Sequence, residues 1–170
     1  MDTGLKKIIF ELNKCENEGK TIISALTGIV NKWESIRNAY SLYKDYLGII
    51  NGFPEIQSRL EVEQISSCDT LIAELGRQLV LYDHSITQAK ASLAKTKQQL
   101  SEKPNDFPWS FPPSVSDISE DFLTAENAIS QSLLSVEAKK YSLFELNQSE
   151  NPLNPDNVMR MINKWSSSSP

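Results

Sequence analysis

Few side chains in this sequence have the type and spacing that catalysis requires. His84 is the only histidine, and its position beside an apolar residue in a helical pattern predicts a solvent-exposed ring with no catalytic partner. Asp117, Glu120 and Asp121 are clustered and could in principle serve as an acid–base pair. Acidic residues in the first turns of a helix, however, are favoured by the helix dipole, which is the simpler interpretation. We therefore expect that the protein is not an enzyme.

The cysteines and glycines also lack the spacing of a known metal or cofactor site. Cys15 and Cys68 are far apart, and the sequence contains no CxxC motif and no second histidine to complete a zinc site. Both fall on apolar helix positions, which predicts buried and unreactive thiols, with an interhelical disulfide as the alternative. The glycines form neither a phosphate loop nor a dinucleotide fingerprint. We expect no metal and no cofactor.

Composition limits the class of protein and the partners. The 170 residues suffice for one domain, and the formal net charge is −5. Residues 104–150 carry eight of the acids and only two bases, and the sequence has no basic stripe, so direct nucleic-acid binding is not expected. No apolar run approaches the roughly 20 residues of a membrane span, and the N-terminus lacks the features of a signal peptide. These observations predict an intracellular protein with reduced thiols that does not bind membranes.

The elements that carry these residues are long amphipathic helices. Apolar residues recur at steps of three and four from Leu5 to Ile50, and Gly19, which alone breaks the pattern, marks either a bend or a close helix crossing. A second such pattern of similar length predicts an antiparallel hairpin. Ser114 and Asn154 are the predicted N-caps of the two later helices. The predicted helices span about residues 4–50, 63–102, 115–146 and 155–165.

The predicted fold is all-α: an elongated helical bundle built on this hairpin, with a third long helix and a short C-terminal helix. Residues 1–165 form a single domain in this prediction, and residues 166–170 form a disordered tail. An extended connector rich in proline and aromatic residues spans 104–113. No stretch has the alternating pattern of a strand.

Large aromatic residues on the helices are either core or anchors for a partner, and the sequence leaves both possibilities open. These residues are Trp33, Tyr40, Tyr43 and Tyr82. In the connector, alternation places three aromatic side chains on one side of an extended chain. These are Phe107, Trp109 and Phe111. We expect the connector to cover the hairpin where Ala89 and Thr96 leave room; the alternative is a docking motif for a partner.

Two sequence blocks are similar to a known family. In the first, "GFPEIQSRLEVEQISSCDTLIAELGRQL", nine positions match the family pattern: Phe53, Pro54, Arg59, Leu60, Gln64, Asp69, Leu75, Gly76 and Leu79. The second, "PSVSD" at 113–117, matches the start of the last long family helix. The chain thereby resembles the AIRIM family, ribosome maturation factors that associate with a AAA+ ATPase of the AFG-two type. Family members continue beyond the position of Trp165, so a contact made by that extension is not carried over.

The resemblance implies a non-catalytic adaptor, present in nucleus and cytoplasm. Such an adaptor pairs with a helical subunit of the CINP type and recruits or tunes the ATPase, which strips a shuttling assembly factor from precursors of the large ribosomal subunit. Contact with the pre-ribosomal particle is then indirect, and Phe53 and Pro54 join the candidate anchors. CINP itself, a sister family that interacts with a cyclin-dependent kinase, is the second resemblance, through the tryptophans before the third helix and near the C-terminus. The alternative function is a structural coiled-coil subunit of a tethering, organelle-biogenesis or kinetochore complex.

Overall fold

The chain folds into an all-α bundle. The computed structural model describes the backbone of residues 3–43, 54–101 and 115–168, and the side chains of 5–38, 58–99 and 120–168. Within these residues there are four helices and no strand, which confirms the predicted fold class. The helices are α1 (Thr3–Tyr43), α2 (Pro54–Ser101), α3 (Val115–Gln148) and α4 (Pro155–Ser167).

The first two helices form the predicted antiparallel hairpin. In the first third of α1, Cys15 Sγ lies 3.5 Å from Ser85 Oγ of α2. Closer to the start of α1, Ile8 lies across a groove from Ala89 and Thr96. Residue numbers therefore rise along α1 while they fall along α2. At a rise of about 1.5 Å per residue, α2 alone is roughly 70 Å long, which makes the bundle elongated.

The other two helices pack back onto this hairpin. Salt bridges join Lys97 to Glu126 and Asp83 to Lys140, so α3 runs antiparallel to α2. The chain then reverses again, and α4 packs against both α3 and α1. The N-terminus of α4 follows the sequence prediction, because Asn154 Oδ1 accepts a hydrogen bond from the Asp156 N–H at 3.0 Å and Pro155 occupies the first turn.

Two predicted boundaries were wrong. Helix α2 begins at Pro54 rather than near residue 63, because proline is tolerated in a first turn and neither proline nor glycine interrupts residues 55–75. Helix α4 continues through Ser167, and the N–H of Ser168 bonds to the carbonyl of Trp165 at 3.1 Å. The first residues of the predicted tail at 166–170 are therefore helical. The end of the first predicted helix, up to residue 50, and the connector at 104–113 lie outside the described residues.

The core follows the apolar pattern with one local difference in register. Most predicted inward positions on α2 are buried, from Cys68 through Leu93. At the start of α2, however, the predicted inward residue Ile65 is 37% exposed, and Gln64 is buried in its place. On α1, Ile23 and Val30 extend the buried face beyond the predicted stripe. The buried face is wider because α1 contacts three other helices.

Gly19 lies where α1 meets α4. The residue is buried, and a Cβ atom at this position would stand 3.5 Å from Cζ2 of Trp165. Of the two alternatives left open by the sequence, the structure has the close helix crossing. At this distance a Cβ would make an ordinary van der Waals contact with the indole.

Candidate protein-interaction site

Among the residues singled out for possible chemistry, His84, Cys15 and Cys68 do not form a common site. The side chain of Asp117 lies outside the described residues. His84 is exposed, and its Nε2 lies 2.9 Å from the amide nitrogen of Gln88 on the same helix. Cys68 is buried, and burial raises the pKa of its thiol. Cys15 is half-buried, and both cysteines are free, so the disulfide alternative was wrong. In the part of the chain that the structure describes, no group of three potential metal ligands occurs.

The predicted aromatic anchors separate into three sets. Tyr82 is buried in the core, and Trp33 is half-buried against it. Three residues lie in helices, but their side chains are outside the described set: Tyr40, Tyr43 and Pro54. Four more lie outside the described residues altogether: Phe53, Phe107, Trp109 and Phe111. A groove of about 420 Å³ does exist beside Ala89 and Thr96, where the sequence predicts room.

A buried charged cluster joins one residue from each helix. Lys139 of α3 is only 2% exposed, and its Nζ donates to Glu16 Oε2 of α1 at 2.5 Å. The rings of Tyr82 of α2 and Trp165 of α4 lie 5.9 and 5.6 Å from the same nitrogen. Ammonium groups at these distances are attracted to aromatic faces. We call these four residues the central cluster.

The electrostatics of the central cluster follow from its burial. Burial lowers the pKa of Lys139, and the hydrogen bond and charge of Glu16 oppose that shift. Burial also raises the pKa of Tyr82 to about 12, and the Glu16 carboxylate acts in the same direction. A lysine of lowered pKa can act as a nucleophile, but Lys139 is bonded to a carboxylate and enclosed by two rings. The arrangement fixes the four helices relative to one another.

The predicted inward face of α3 does not include Lys139. The predicted inward face of α3 goes from Val136 to Leu143 with no residue between them, although steps of three and four require one. Lys139 occupies that position, three residues after Val136. A lysine at an inward position, together with an acid on the inward side of α1, is a signal that could have indicated the pair.

A second feature that the sequence reasoning missed is an apolar stripe on the opposite side of α3. We call it the outer face; it consists of Leu123, Leu134, Tyr141 and Phe144, which are 57, 72, 60 and 59% exposed. At 3.6 residues per turn, steps of 11 and 7 place the first three within about 20° of one another, opposite the buried residues, with Phe144 beside them. Large exposed apolar groups of this kind mark interaction surfaces. The helical spacing of these four residues is visible in the sequence, but the sequence prediction gives α3 only one apolar face, the inner one.

One end of the outer face adjoins a groove between α3 and α4. The groove has a volume of about 340 Å³, and Phe144, Leu146 and Met161 form part of its lining. Arg160 and Lys164 of α4 also line it. The groove and the stripe form a continuous surface because Phe144 belongs to both.

Acidic residues flank the outer face. Helix α3 contains six acids and two lysines, one of which is the buried Lys139. Three glutamates on this side of α3 form exposed salt bridges: Glu126 with Lys97, Glu137 with Lys140, and Glu145 with Lys164. A fourth, Glu120, is exposed. Exposed pairs of this kind are worth about 0–1 kcal/mol, so exchanging these lysines for basic residues of another protein costs little.

Comparisons with known proteins returned no relative. No family model, no curated protein and no solved structure matches the chain. None of the helices, over the residues described, combines the length and apolarity that crossing a bilayer requires.

Proposed function

We propose that the chain is a non-catalytic adaptor subunit of a AAA+ ATPase complex of the AFG-two type, which acts in maturation of the large ribosomal subunit. The observation that carries the proposal is the first sequence block, in which nine positions match the pattern of the AIRIM family. In this proposal the chain binds a helical subunit of the CINP type, and it reaches the pre-ribosomal particle only through its partners in the nucleus and cytoplasm.

The positions of the matched residues on α2 are compatible with two roles. Gln64, Leu75 and Leu79 are buried and contribute to the bundle. Arg59 and Asp69 are exposed, so they are available for contact with another protein. A family pattern that combined packing with partner recognition would have this mixture of buried and exposed positions.

The outer face of α3 supports the interaction part of the proposal. An adaptor acts by holding a binding surface in a fixed orientation, which reduces the entropy lost on association. The central cluster ties α3 to the other three helices, and the outer face lies on the opposite side of the same helix. The apolar stripe is therefore carried on a helix that the core holds in place.

Affinity purification from cell extract followed by quantitative mass spectrometry tests the function. We expect a tagged chain to enrich the AAA+ ATPase together with a second helical subunit, relative to the tag alone. Recovery of the chain as a lone monomer, with neither protein enriched, would contradict the proposal. Concentration of the tagged chain at organelles or centromeres would instead favour a structural coiled-coil subunit.

A further inference from the structure

We propose that the outer face of α3 binds an amphipathic helix of a partner protein, and that lysine and arginine residues flank the apolar stripe of that helix. The existence of such a partner rests on the proposed adaptor function, whereas its chemistry follows from the residues of the outer face. The binding surface consists of the outer face together with the adjoining α3–α4 groove.

The spacing of the outer face indicates that its occupant is a helix. Residues 123, 127, 130, 134, 137, 141 and 144 follow steps of four and three, which is the heptad spacing of a helix–helix contact. Asn127 and Ser130 lie between Leu123 and Leu134 in this series, and Glu137 lies between Leu134 and Tyr141. The large apolar side chains concentrate at positions 134, 141 and 144. The stripe covers roughly 30 Å of helix, which a partner helix of about three heptads would match. We expect most of the binding free energy at Leu134, Tyr141 and Phe144.

Charge determines which kind of helix fits. Glu120, Glu126 and Glu145 lie beside the stripe, where flanking charges of a coiled coil select the partner, and Glu137 lies within it between Leu134 and Tyr141. A second copy of α3 would place these acids against one another, which disfavours self-association. A basic helix would gain attraction to them, since the exposed lysines that now pair with three of them contribute little.

The groove adds a site for a single large apolar side chain. Phe144, Leu146 and Met161 supply apolar lining at the end of the stripe, and partner side chains that fill such a recess typically dominate binding. Arg160, Lys164 and Glu145 also line the groove, so its charge is mixed. We expect this end of the site to contribute through apolar contact rather than through charge.

A binding measurement with designed peptides tests the inference without the ATPase. The probes are two labelled helical peptides of about 21 residues, with leucine at the heptad core positions and either lysine or glutamate at the flanks. Fluorescence anisotropy against the full chain should show the lysine peptide binding at least ~10-fold more tightly than the glutamate peptide. Added salt should reduce that difference, because it screens exposed charges.

A matched pair of variants locates the binding surface. Leu134→Gln with Tyr141→Gln should weaken binding of the lysine peptide by at least ~10-fold, a loss of about 1.4 kcal/mol or more. Val80→Gln with Leu81→Gln removes two exposed apolar side chains from α2 and should leave the affinity unchanged. Circular dichroism melting of both variants confirms that each remains folded.

Three outcomes of the peptide-binding and sedimentation measurements would overturn the inference. One is equal affinity for the two peptides, and another is equal affinity of the α3 variant and the unmodified chain. The third is a dimer in sedimentation equilibrium that dissociates in the α3 variant, because a second copy would then occupy the face. Failure of the adaptor function gives a different result from failure of the binding surface: the lysine peptide then binds α3, but the ATPase is not recovered from extract. Conversely, equal recovery of the ATPase by the α3 variant would reject this face and leave the adaptor function standing.

Discussion

Each of the two faces of α3 carries residue types that are unusual for its surroundings. The inner face buries Ser132, Ser135, Ser142 and Lys139, whereas the outer face exposes leucine, tyrosine and phenylalanine side chains. Serine and lysine are ordinarily found on protein surfaces, and large apolar residues in cores. The inner face, which also buries Ala125, Ile129, Val136 and Leu146, therefore combines apolar packing with one ion pair, whereas the large exposed side chains of the outer face are available to another molecule.

The polar inner face is only partly satisfied by hydrogen bonds. Ser142 Oγ donates to the carbonyl of Lys139 at 2.8 Å, so its burial is compensated within the helix. Ser135 Oγ and the indole nitrogen of Trp165 are buried without a hydrogen-bond partner in the described part of the chain. Because small side chains let α3 approach its neighbours, the loss of polar solvation is accompanied by tight packing. Stability at this face therefore depends strongly on Lys139 and Glu16.

The largest predicted effect comes from removing the buried lysine. Lys139→Met removes the buried ammonium that bonds to the Glu16 carboxylate, and Lys20, 3.8 Å from the other carboxylate oxygen, is half exposed and compensates little. We expect a loss of about 3–5 kcal/mol in the free energy of unfolding, measured by denaturant titration. The exposed pair of Lys140 with Asp83 provides the control, and Lys140→Met should cost about 0–1 kcal/mol. Equal losses in the two variants would remove the distinction between the inner ion pair and a surface one.

The structure and the sequence predictions agree to different degrees on the inner and outer faces of α3. The helices and their antiparallel packing were predictable because apolar spacing of three and four directly indicates a buried helix face, as at Leu75 and Leu79. The central cluster was not, since a search for apolar residues treats Lys139 as a gap, and Glu16 lies 123 positions away. The outer face was visible in the spacing of Leu134 and Tyr141, but only burial determines which face of a helix is the core.

The next largest effect is a dependence of stability on alkaline pH. Tyr82 has a folded pKa of about 12, above its ordinary value of 10.0, chiefly because of burial. Below pH 10 the phenol is protonated in both states, and this contribution to stability is fully present. Between pH 10 and 12 only the unfolded state loses the proton, so stability falls as pH rises, by roughly 2–3 kcal/mol in all.

A comparison with Tyr82→Phe isolates this contribution. Burial lowers the pKa of Lys139, so its effect on the pH dependence of stability has the opposite sign. Both proteins retain Lys139, so the difference between their denaturation curves at each pH reports the tyrosine. If the free energies of unfolding of the two proteins change in parallel from pH 9 to 12, Tyr82 ionises at its ordinary pKa and water reaches its hydroxyl group.

A smaller and favourable effect is expected at the crossing of α1 and α4. A Cβ at Gly19 would meet the Trp165 ring at an ordinary contact distance, and alanine is the better helix former. Gly19→Ala should therefore raise the free energy of unfolding by about 0.5–1 kcal/mol. Gly28→Ala is the matched control, since nothing lies within 4 Å of a Cβ at that position. If Gly19→Ala destabilises the protein and Gly28→Ala does not, the contact with the Trp165 indole requires glycine at position 19.

The smallest effect on stability is predicted for the outer face. Leu134→Gln with Tyr141→Gln changes two exposed positions to a good helix former, so the free energy of unfolding should change by no more than about 0.5 kcal/mol per substitution. Thermal melting monitored by circular dichroism measures the change. A loss of several kcal/mol would show that these side chains belong to the fold, and the contrast between the two faces of α3 would disappear.

The central cluster also constrains the order in which a nascent chain can fold. Glu16 is translated long before Lys139, and the tryptophan that encloses their ion pair comes later still, in α4. The α1–α2 hairpin can form on the ribosome while α3 and α4 are still being synthesised, but Glu16 then has no partner on α3. Completion of the core must therefore wait for α4, and during that interval the apolar surface of the hairpin is open to chaperones or to a partner subunit that associates during translation.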